Sequence, residues 1–328
     1  MDMDSNYLQI QPLLLMLTDK HFDFNIYLYQ NDNYILYATP ENFTEEHRSR
    51  LIRNGIENLY IDNSDKLTYE LFIEKNLPDI LESSKVPLQA KSKILYNHSL
   101  DVVESFFIQS GKEYLNKESY QKMVALVDNI YGFLEKNPYA IQSMRSLIAT
   151  HYREYIHCIN TALYAISLLI YHNEDSGRKL RKSFVRQVGV GALLHDIGKS
   201  KVHQSILSKP AALTSNEFEE VKKHPIYGLE MCQHMKLSQP VTQCVMFHHE
   251  KLDGSGYPSG TKNIPDHVRI VTIADMFDAI TCDRPYRKHK VTGFEALKII
   301  SKDVERGKLD RAMVASFIRM ISQGMIRL

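Results

Sequence analysis

The stretch VGVGALLHDIGKS, residues 188–200, joins a small apolar run to a histidine, an aspartate and a lysine. Residues 188–194 carry no polar side chain, which indicates a helix buried in a core. We expect Gly198 to end this helix in the left-handed conformation. A carboxylate at the buried end of a helix is costly unless it is paired or bound to a cation. Taken alone, His195 and Asp196 are more simply explained as a hydrogen-bonded pair than as metal ligands.

Other histidines and an aspartate repeat this placement. His157 lies in YIHCINTALYAI, where most of the remaining positions are apolar or small. His224 follows a helix that we expect to begin with the capping box formed by Thr214 and Glu217, and the proline after it fixes its direction. Asp275 lies in RIVTIADMFDAIT, an otherwise core-like helical pattern. Each is more commonly a core residue than a ligand, but so many coincidences favour a shared site.

A further segment, FHHEKLDGSGYPSG at residues 247–260, places two histidines before a loop rich in glycine and proline. His248 and His249 come at the end of the helical pattern VTQCVMFHH. A loop of this composition lets the backbone bend sharply and approach a ligand closely. On its own it is typical of a surface turn, whereas after two histidines it favours the wall of a site.

The candidate ligands are imidazoles and carboxylates without thiolates, which suits iron, manganese or zinc better than magnesium or calcium. Their number exceeds the four ligands of one zinc ion, so we expect two metal ions, bridged by the two oxygens of Asp196. Two adjacent metals activate water and hold a phosphoryl group. Lys199, just beyond the helix, could direct its ammonium at that phosphate, although most lysines are simply exposed. The predicted ligands are His157, His195, Asp196, His224, His248, His249 and Asp275.

In chain order, the motifs HDIGK, the isolated His224, HHE, DGSGYP and IADMFDAITCDRPYR resemble the HD-GYP family of HD metal-dependent phosphohydrolases. The resemblance covers roughly residues 150–310. It implies a phosphodiesterase that hydrolyses cyclic di-GMP to pGpG, to GMP or to both, with a hydroxide activated by two metal ions. It implies the same seven metal ligands, with iron or manganese favoured and zinc or nickel as alternatives. It also implies substrate contacts from Lys199, Tyr257, Arg284 and Arg287.

Three functions stay open at this point. Besides a phosphodiesterase, the chain could be a metal-containing protein that binds cyclic di-GMP and signals to a partner with little turnover. It could also be another HD nucleotide phosphohydrolase, against which the GYP tract argues. Members of the family with a third metal have a glutamate where this chain has Arg153, and Glu154 could face the same way. We expect two metals.

The pattern of apolar and polar residues changes near residue 85. The segments before it predict a β-hairpin around residues 31–33, a helix capped by Thr44 and a further short strand, so residues 1–85 are expected to form a small α/β domain. Residues 86–328 predict an all-α bundle of the HD type, which makes the chain mainly α. The N-terminal domain does not resemble a phosphoacceptor receiver, and a regulatory, dimerising or partner-binding role is open.

Composition narrows the partners. The 328 residues carry a formal net charge of +1, so no overall field attracts a nucleic acid polymer or an anionic membrane. Four well-separated cysteines predict neither disulfides nor a zinc knuckle. An acidic N-terminus and short apolar runs predict no signal peptide and no membrane span. We therefore expect a cytoplasmic bacterial protein, with a homodimer or a signalling partner as possibilities.

Overall fold

The computed structural model describes residues 6–10, 12, 20–56, 58–110, 116–138, 140, 144, 153–175, 177, 179–282 and 291–322. The chain divides into two compact units, Met1–His98 and Ser99–Leu328. The predicted substrate residues Arg284 and Arg287 lie outside the described residues. The architecture is mainly α-helical with one small antiparallel sheet, as the sequence predicts.

The first unit is built on a four-stranded sheet of order β1-β4-β2-β3. Its described elements are β1 (Tyr7–Ile10), β2 (Ile26–Gln30), β3 (Asn33–Ala38), α1 (Glu45–Arg53), β4 (Leu59–Asp62) and α2 (Lys66–Glu82).

The predicted hairpin joins β2 to β3, and its turn residues Asn31 and Asp32 have φ values of 49° and 60°. Left-handed residues at both central positions match the right-handed twist of the strands, which explains the Asn-Asp sequence. Thr44 caps α1 as predicted, since its side chain accepts a hydrogen bond from the backbone of His47. The local sequence signals in this unit are therefore confirmed.

Every regular element of the second unit is a helix, as far as its residues are described. Helix α3 (Leu88–Ser110) contains the boundary between the units. The helices that follow are α4 (Lys117–Lys136), α5 (Glu154–Asp175), α6 (Lys182–Leu194), α7 (Gln204–Leu207), α8 (Ser215–Val221), α9 (His224–Cys232), α10 (Gln239–Phe247), α11 (Asp266–Thr281), α12 (Gly293–Glu305) and α13 (Arg311–Met320).

Helices α5, α6, α10 and α11 form the core of this unit, with α6 packed against both α5 and α10, and α11 packed against α5. Helix α5 is buried on nearly all sides, from Ile156 to Ile170, which identifies it as a central helix rather than an amphipathic surface helix. The buried polar side chains on these four helices face protein, and each needs a partner or a bound ligand.

One detail of the predicted helix end is wrong. Helix α6 ends at Leu194, and Gly198 lies without a positive φ in a 3-10 turn over Ile197–Lys201. The glycine is required by packing instead, because a Cβ at Gly198 would lie 1.9 Å from the carbonyl oxygen of His224. This close approach brings the turn after Asp196 against the start of α9.

Among the described residues, we find no helix with the length and apolar character needed to cross a bilayer. The cysteines Cys158, Cys232, Cys244 and Cys282 are all free thiols, as the sequence predicts.

Candidate metal centre

Seven buried or half-buried donor side chains gather where the central helices end or pass one another. They come from α5, the end of α6, the start of α9, the end of α10 and the middle of α11. Their donor atoms form two groups, and within each group all donor atoms lie within 4.8 Å of one another. The first group is Asp196, His224, His248 and His249, and the second is His157, His195 and Asp275.

Asp196 lies between the two groups. Its Oδ1 is 3.2 Å from Nε2 of His224, on the first side. Its Oδ2 is 3.4 Å from Nε2 of His195 and 3.5 Å from Nε2 of His157, on the second side. Each carboxylate oxygen thus faces a different group, which is the arrangement that a carboxylate shared by two cations requires.

The histidine rings are oriented by hydrogen bonds at Nδ1. Nδ1 of His195 lies 2.7 Å from the carbonyl oxygen of Ala192, and Nδ1 of His224 lies 2.7 Å from that of Val221. A carbonyl oxygen can only accept, so in both rings Nδ1 carries the proton and Nε2 carries the lone pair.

Two more rings follow the same rule. Nδ1 of His248 lies 3.0 Å from the carbonyl oxygen of Val245, and Nδ1 of His157 lies 2.6 Å from Oδ2 of Asp278. A hydrogen bond at one ring nitrogen fixes the tautomer and aims the other nitrogen, as in protein metal sites generally. All four Nε2 atoms are therefore available as ligands.

These lone pairs converge at distances that fit a cation. Nε2 of His224 lies 3.1 Å from Nε2 of His248, and Nε2 of His195 lies 3.3 Å from Nε2 of His157. Two neutral acceptors facing each other in a protein interior repel, whereas a metal ion between them binds both. Oδ1 of Asp196 is also buried, and no described residue donates a hydrogen bond to it. The chemistry of the donor set thus fits bound metal ions.

The protein environment keeps four of these side chains in the protonation states that bind metals. Burial lowers the pKa of His248 well below its usual range and that of His249 to about 3, so both rings stay neutral. Burial alone would raise the pKa of Asp196 and Asp275, but neighbouring groups hold both pKa values below the ordinary one. These neighbours are Lys199 and His195 for Asp196, and chiefly His157 for Asp275.

Lys199 lies at the edge of the donor cluster. Its Nζ donates to Oδ2 of Asp196 at 2.5 Å, and its side chain is only 14% exposed. The ammonium borders a pocket of about 260 Å³. The pocket is lined by His157, Lys199, His249, Asp275, Met276, Ala279 and Ile280. It therefore opens onto donors from both groups, next to a positive charge and an apolar wall from α11.

The ring of Tyr257 packs against the ring of His249. Its ring centroid lies 4.6 Å from that of His249, with a 34° angle between the planes. Burial raises the pKa of the Tyr257 hydroxyl above its usual value, so the side chain is a neutral hydrogen-bonding group near the cluster.

Gly256, which precedes this tyrosine, makes a close contact with protein backbone, whereas the sequence predicted a close approach of this loop to a ligand. A Cβ at Gly256 would lie 2.4 Å from the Cα of Glu250 and 2.5 Å from the carbonyl oxygen of His249. The backbone of the loop therefore packs closely against the chain's own backbone at the end of α10.

Glu154 is absent from both donor groups, as far as the described part of the chain extends. The prediction of two metals rather than three is consistent with that geometry and stays a prediction.

Two buried acids near the cluster were missed by the sequence interpretation. Asp278 accepts from His157 and, at 2.9 Å, from Nδ2 of Asn160. Its signal was available, because it follows Asp275 by three residues and so lies on the same helix face. Glu250 binds the loop after Tyr257, and only its position within HHE pointed to it.

Residues 175–313 match the family model described as HD domain. A cyclic di-GMP phosphodiesterase of Pseudomonas aeruginosa is 34% identical over 200 residues, which are 60% of this chain and 46% of that protein. A cyclic di-GMP phosphodiesterase of Thermotoga maritima is 42% identical over 113 residues, 33% of this chain and 30% of the relative. A 3'3'-cGAMP-specific phosphodiesterase of Vibrio cholerae is 43% identical over 98 residues, 29% of this chain and 21% of the relative.

This chain thus spans less than half the length of these curated relatives. Among solved structures, an HDG"Y"P protein from Bdellovibrio bacteriovorus aligns with a TM-score of 0.66 at 22% identity. The alignment covers 96% of this chain and 99% of that one. At this level of identity the likeness establishes the fold.

Proposed function

We propose that this chain, whose residues 175–313 match the HD domain model, is a metal-dependent phosphodiesterase that hydrolyses cyclic di-GMP to pGpG, to GMP or to both. The observation that carries the proposal is the pair of donor groups joined by Asp196 beside a pocket that contains a cationic lysine. Relatives that act on cyclic di-GMP support the substrate.

We assign two divalent metal ions to the two donor groups. When bound, such ions supply a water of lowered pKa and a positive charge for a phosphoryl oxygen. His224, His248 and His249 serve the first position, His157, His195 and Asp275 serve the second, and Asp196 serves both. Mixed nitrogen and oxygen ligands favour iron or manganese, with zinc or nickel as alternatives.

The remaining residues act on the substrate. Lys199 neutralises charge that develops on the phosphoryl group, because its Nζ already lies against the carboxylate between the two positions. Tyr257 offers a ring face and a hydroxyl to a guanine nucleotide. Arg284 and Arg287, which are outside the described residues, are proposed to bind phosphate through their planar forks.

The pocket limits what can be enclosed. Its volume of about 260 Å³ is below the range of about 300–1,000 Å³ that is usual for small-molecule sites. We propose that it receives the scissile phosphodiester, with the rest of the dinucleotide bound by residues around it. Cleavage to GMP then requires the linear product to bind a second time, with its remaining phosphodiester in the pocket.

We propose that residues 86–328 are the catalytic domain and that residues 1–85 regulate it or bind a partner, in the cytoplasm of a bacterium. A homodimer would be one form of such regulation. The donors of both groups come from this chain itself.

The test is to purify the protein without oxygen, load it with Fe(II) or Mn(II), count the bound metal and separate the products chromatographically. We expect about two metals per chain and metal-dependent formation of pGpG or GMP from cyclic di-GMP. Parallel reactions with 3'3'-cGAMP and with mononucleotides separate the candidate substrates. Fully loaded protein that binds cyclic di-GMP tightly but releases no product would instead establish the signalling function.

A further inference from the structure

Glu250 is a buried acid that belongs to neither donor group. It is 1% exposed and follows His249 directly at the end of α10. Its Oε1 accepts three hydrogen bonds, from the backbone and hydroxyl of Ser259 at 2.7 Å each and from the backbone of Gly260 at 3.1 Å. Because one loop supplies all three donors, this oxygen holds the loop in place and does not act as a metal ligand.

The same loop is fixed a second time on the other side of Tyr257. The backbone of Gly256 packs so closely on the end of α10 that a Cβ would lie 2.4 Å from the Cα of Glu250. Tyr257 therefore lies between two points at which the loop is held. One is the close packing of Gly256, and the other is the set of hydrogen bonds to the Glu250 carboxylate. Its ring contacts His249, which belongs to the first donor group.

The other oxygen of this carboxylate, Oε2, is buried and has no hydrogen-bond partner among the described residues. Arg269 and Lys308 line a small cavity together with Glu250, and Thr272, another lining residue, donates to the carbonyl oxygen of His248 at 2.8 Å. A charged acceptor forms stronger hydrogen bonds than a neutral one, especially in a site with little water. Replacing Glu250 thus affects the loop without removing any candidate metal ligand.

We propose that Glu250 is a positioning residue that holds the loop of residues 253–260 against the end of α10 and so places Tyr257 for substrate binding. This inference rests on the proposed function for its kinetic consequence only. The fastening of the loop is a property of the protein with or without substrate, and it can be measured separately.

The experiment compares wild type with Glu250→Ala, Glu250→Gln and the control Glu305→Ala, an exposed glutamate at the end of α12. Each full-length protein is loaded with Mn(II), and its metal content is measured. Hydrogen–deuterium exchange then follows the peptide that contains Ser259 and Gly260. Steady-state kinetics with cyclic di-GMP give KM and kcat for each protein.

We expect Glu250→Ala to keep its metals, to exchange this peptide roughly ten- to a hundredfold faster, and to raise KM more than it lowers kcat. Glu250→Gln retains an acceptor oxygen and should recover most of the protection, while Glu305→Ala should match wild type. Unchanged exchange in Glu250→Ala, or equal loss in the Ala and Gln variants, would overturn the proposal.

A second variant and a separate reading of exchange and KM distinguish the possible outcomes. If Glu250→Ala does not fold, Ser259→Ala removes one of the three donors from an exposed position and should give a smaller acceleration of exchange. Faster exchange without a change in KM would overturn the placement of Tyr257. Wild type that shows no turnover would remove the proposed function, but the exchange measurement would still test the fastening.

Discussion

Nδ1 of His157 lies 2.6 Å from Oδ2 of Asp278, across 121 residues of sequence and between two buried helices. Asn160 donates to the other oxygen of the same carboxylate at 2.9 Å, and Cys282 contacts Oδ2 through its thiol. A carboxylate held by several donors cannot rotate freely. It therefore fixes the His157 ring so that Nε2 points at the second donor group.

We expect Asp278→Asn to weaken metal binding by about ten- to a hundredfold, the usual effect of removing such an orienting partner. The amide has a single acceptor oxygen, which His157, Asn160 and Cys282 cannot all use. Titration with Mn(II) under anaerobic conditions measures the affinity. Asp266→Asn, an exposed aspartate at the start of the same helix, is the matched control. Unaltered affinity in Asp278→Asn would show that the His157 ring is fixed by packing alone.

Asp196→Ala should abolish hydrolysis and stoichiometric metal binding together. Its two oxygens face different donor groups, so the substitution removes one ligand from each proposed metal position. Metal analysis after gel filtration provides the measurement, with circular dichroism to confirm that the helices remain. A variant that still carries two metals per chain would contradict the assignment of Asp196 as a bridging ligand.

The residues of the candidate site could be predicted from the sequence more readily than the side chains that orient them. All seven donors could be predicted because each is an imidazole or a carboxylate on or beside a helix with a buried face. The acceptor for His157, by contrast, lies 121 residues away, and no local pattern states which carboxylate will approach it. Gly198 shows the same limit. Its spacing predicted a left-handed helix cap, whereas contact with His224, which depends on tertiary packing, is what requires the glycine.

Glu217→Gln should destabilise the protein near pH 6 but not near pH 2. Hydrogen bonds from Lys209 and Thr214 lower the pKa of Glu217 from 4.5 to about 2. A depressed pKa contributes stability above the unfolded value of 4.5, and this contribution disappears as the pH falls to about 2. Urea unfolding at several pH values should therefore show a gap between variant and wild type that narrows below pH 4.5. Glu219→Gln, an exposed glutamate two residues later in α8, is the control.

Gly256→Ala should displace the loop that carries Tyr257. The new methyl group would overlap the backbone of Glu250 and Lys251, both 2.4 Å away, and backbone cannot move aside as a flexible side chain can. We expect a loss of about 1–3 kcal/mol in the free energy of unfolding and a raised KM for cyclic di-GMP. Gly132→Ala in α4, where no atom lies within 4 Å, should be tolerated. Equal stability and KM in the two variants would contradict the close packing of this loop.

Lys199 gives the sharpest test of how the proposed chemistry works. If its ammonium stabilises charge on the phosphoryl group, Lys199→Ala should lower kcat by roughly two to three orders of magnitude. Metal content should not fall, because an ammonium has no lone pair to donate. Lys201→Ala, an exposed lysine two residues later, is the control.

The choice of replacement separates charge from packing at this position. Lys199→Met keeps most of the side-chain volume within the pocket and should be as inactive as Lys199→Ala, because both lack the charge that neutralises the phosphoryl group. Lys199→Arg restores a positive charge in a planar fork, which occupies a different position from a point ammonium, and should recover activity only in part. Rates are compared at equal metal occupancy, so that loss of the ion pair with Asp196 does not enter the result. Wild-type turnover in all three variants would exclude Lys199 from the reaction and leave the metal ligands as its only proposed catalytic groups.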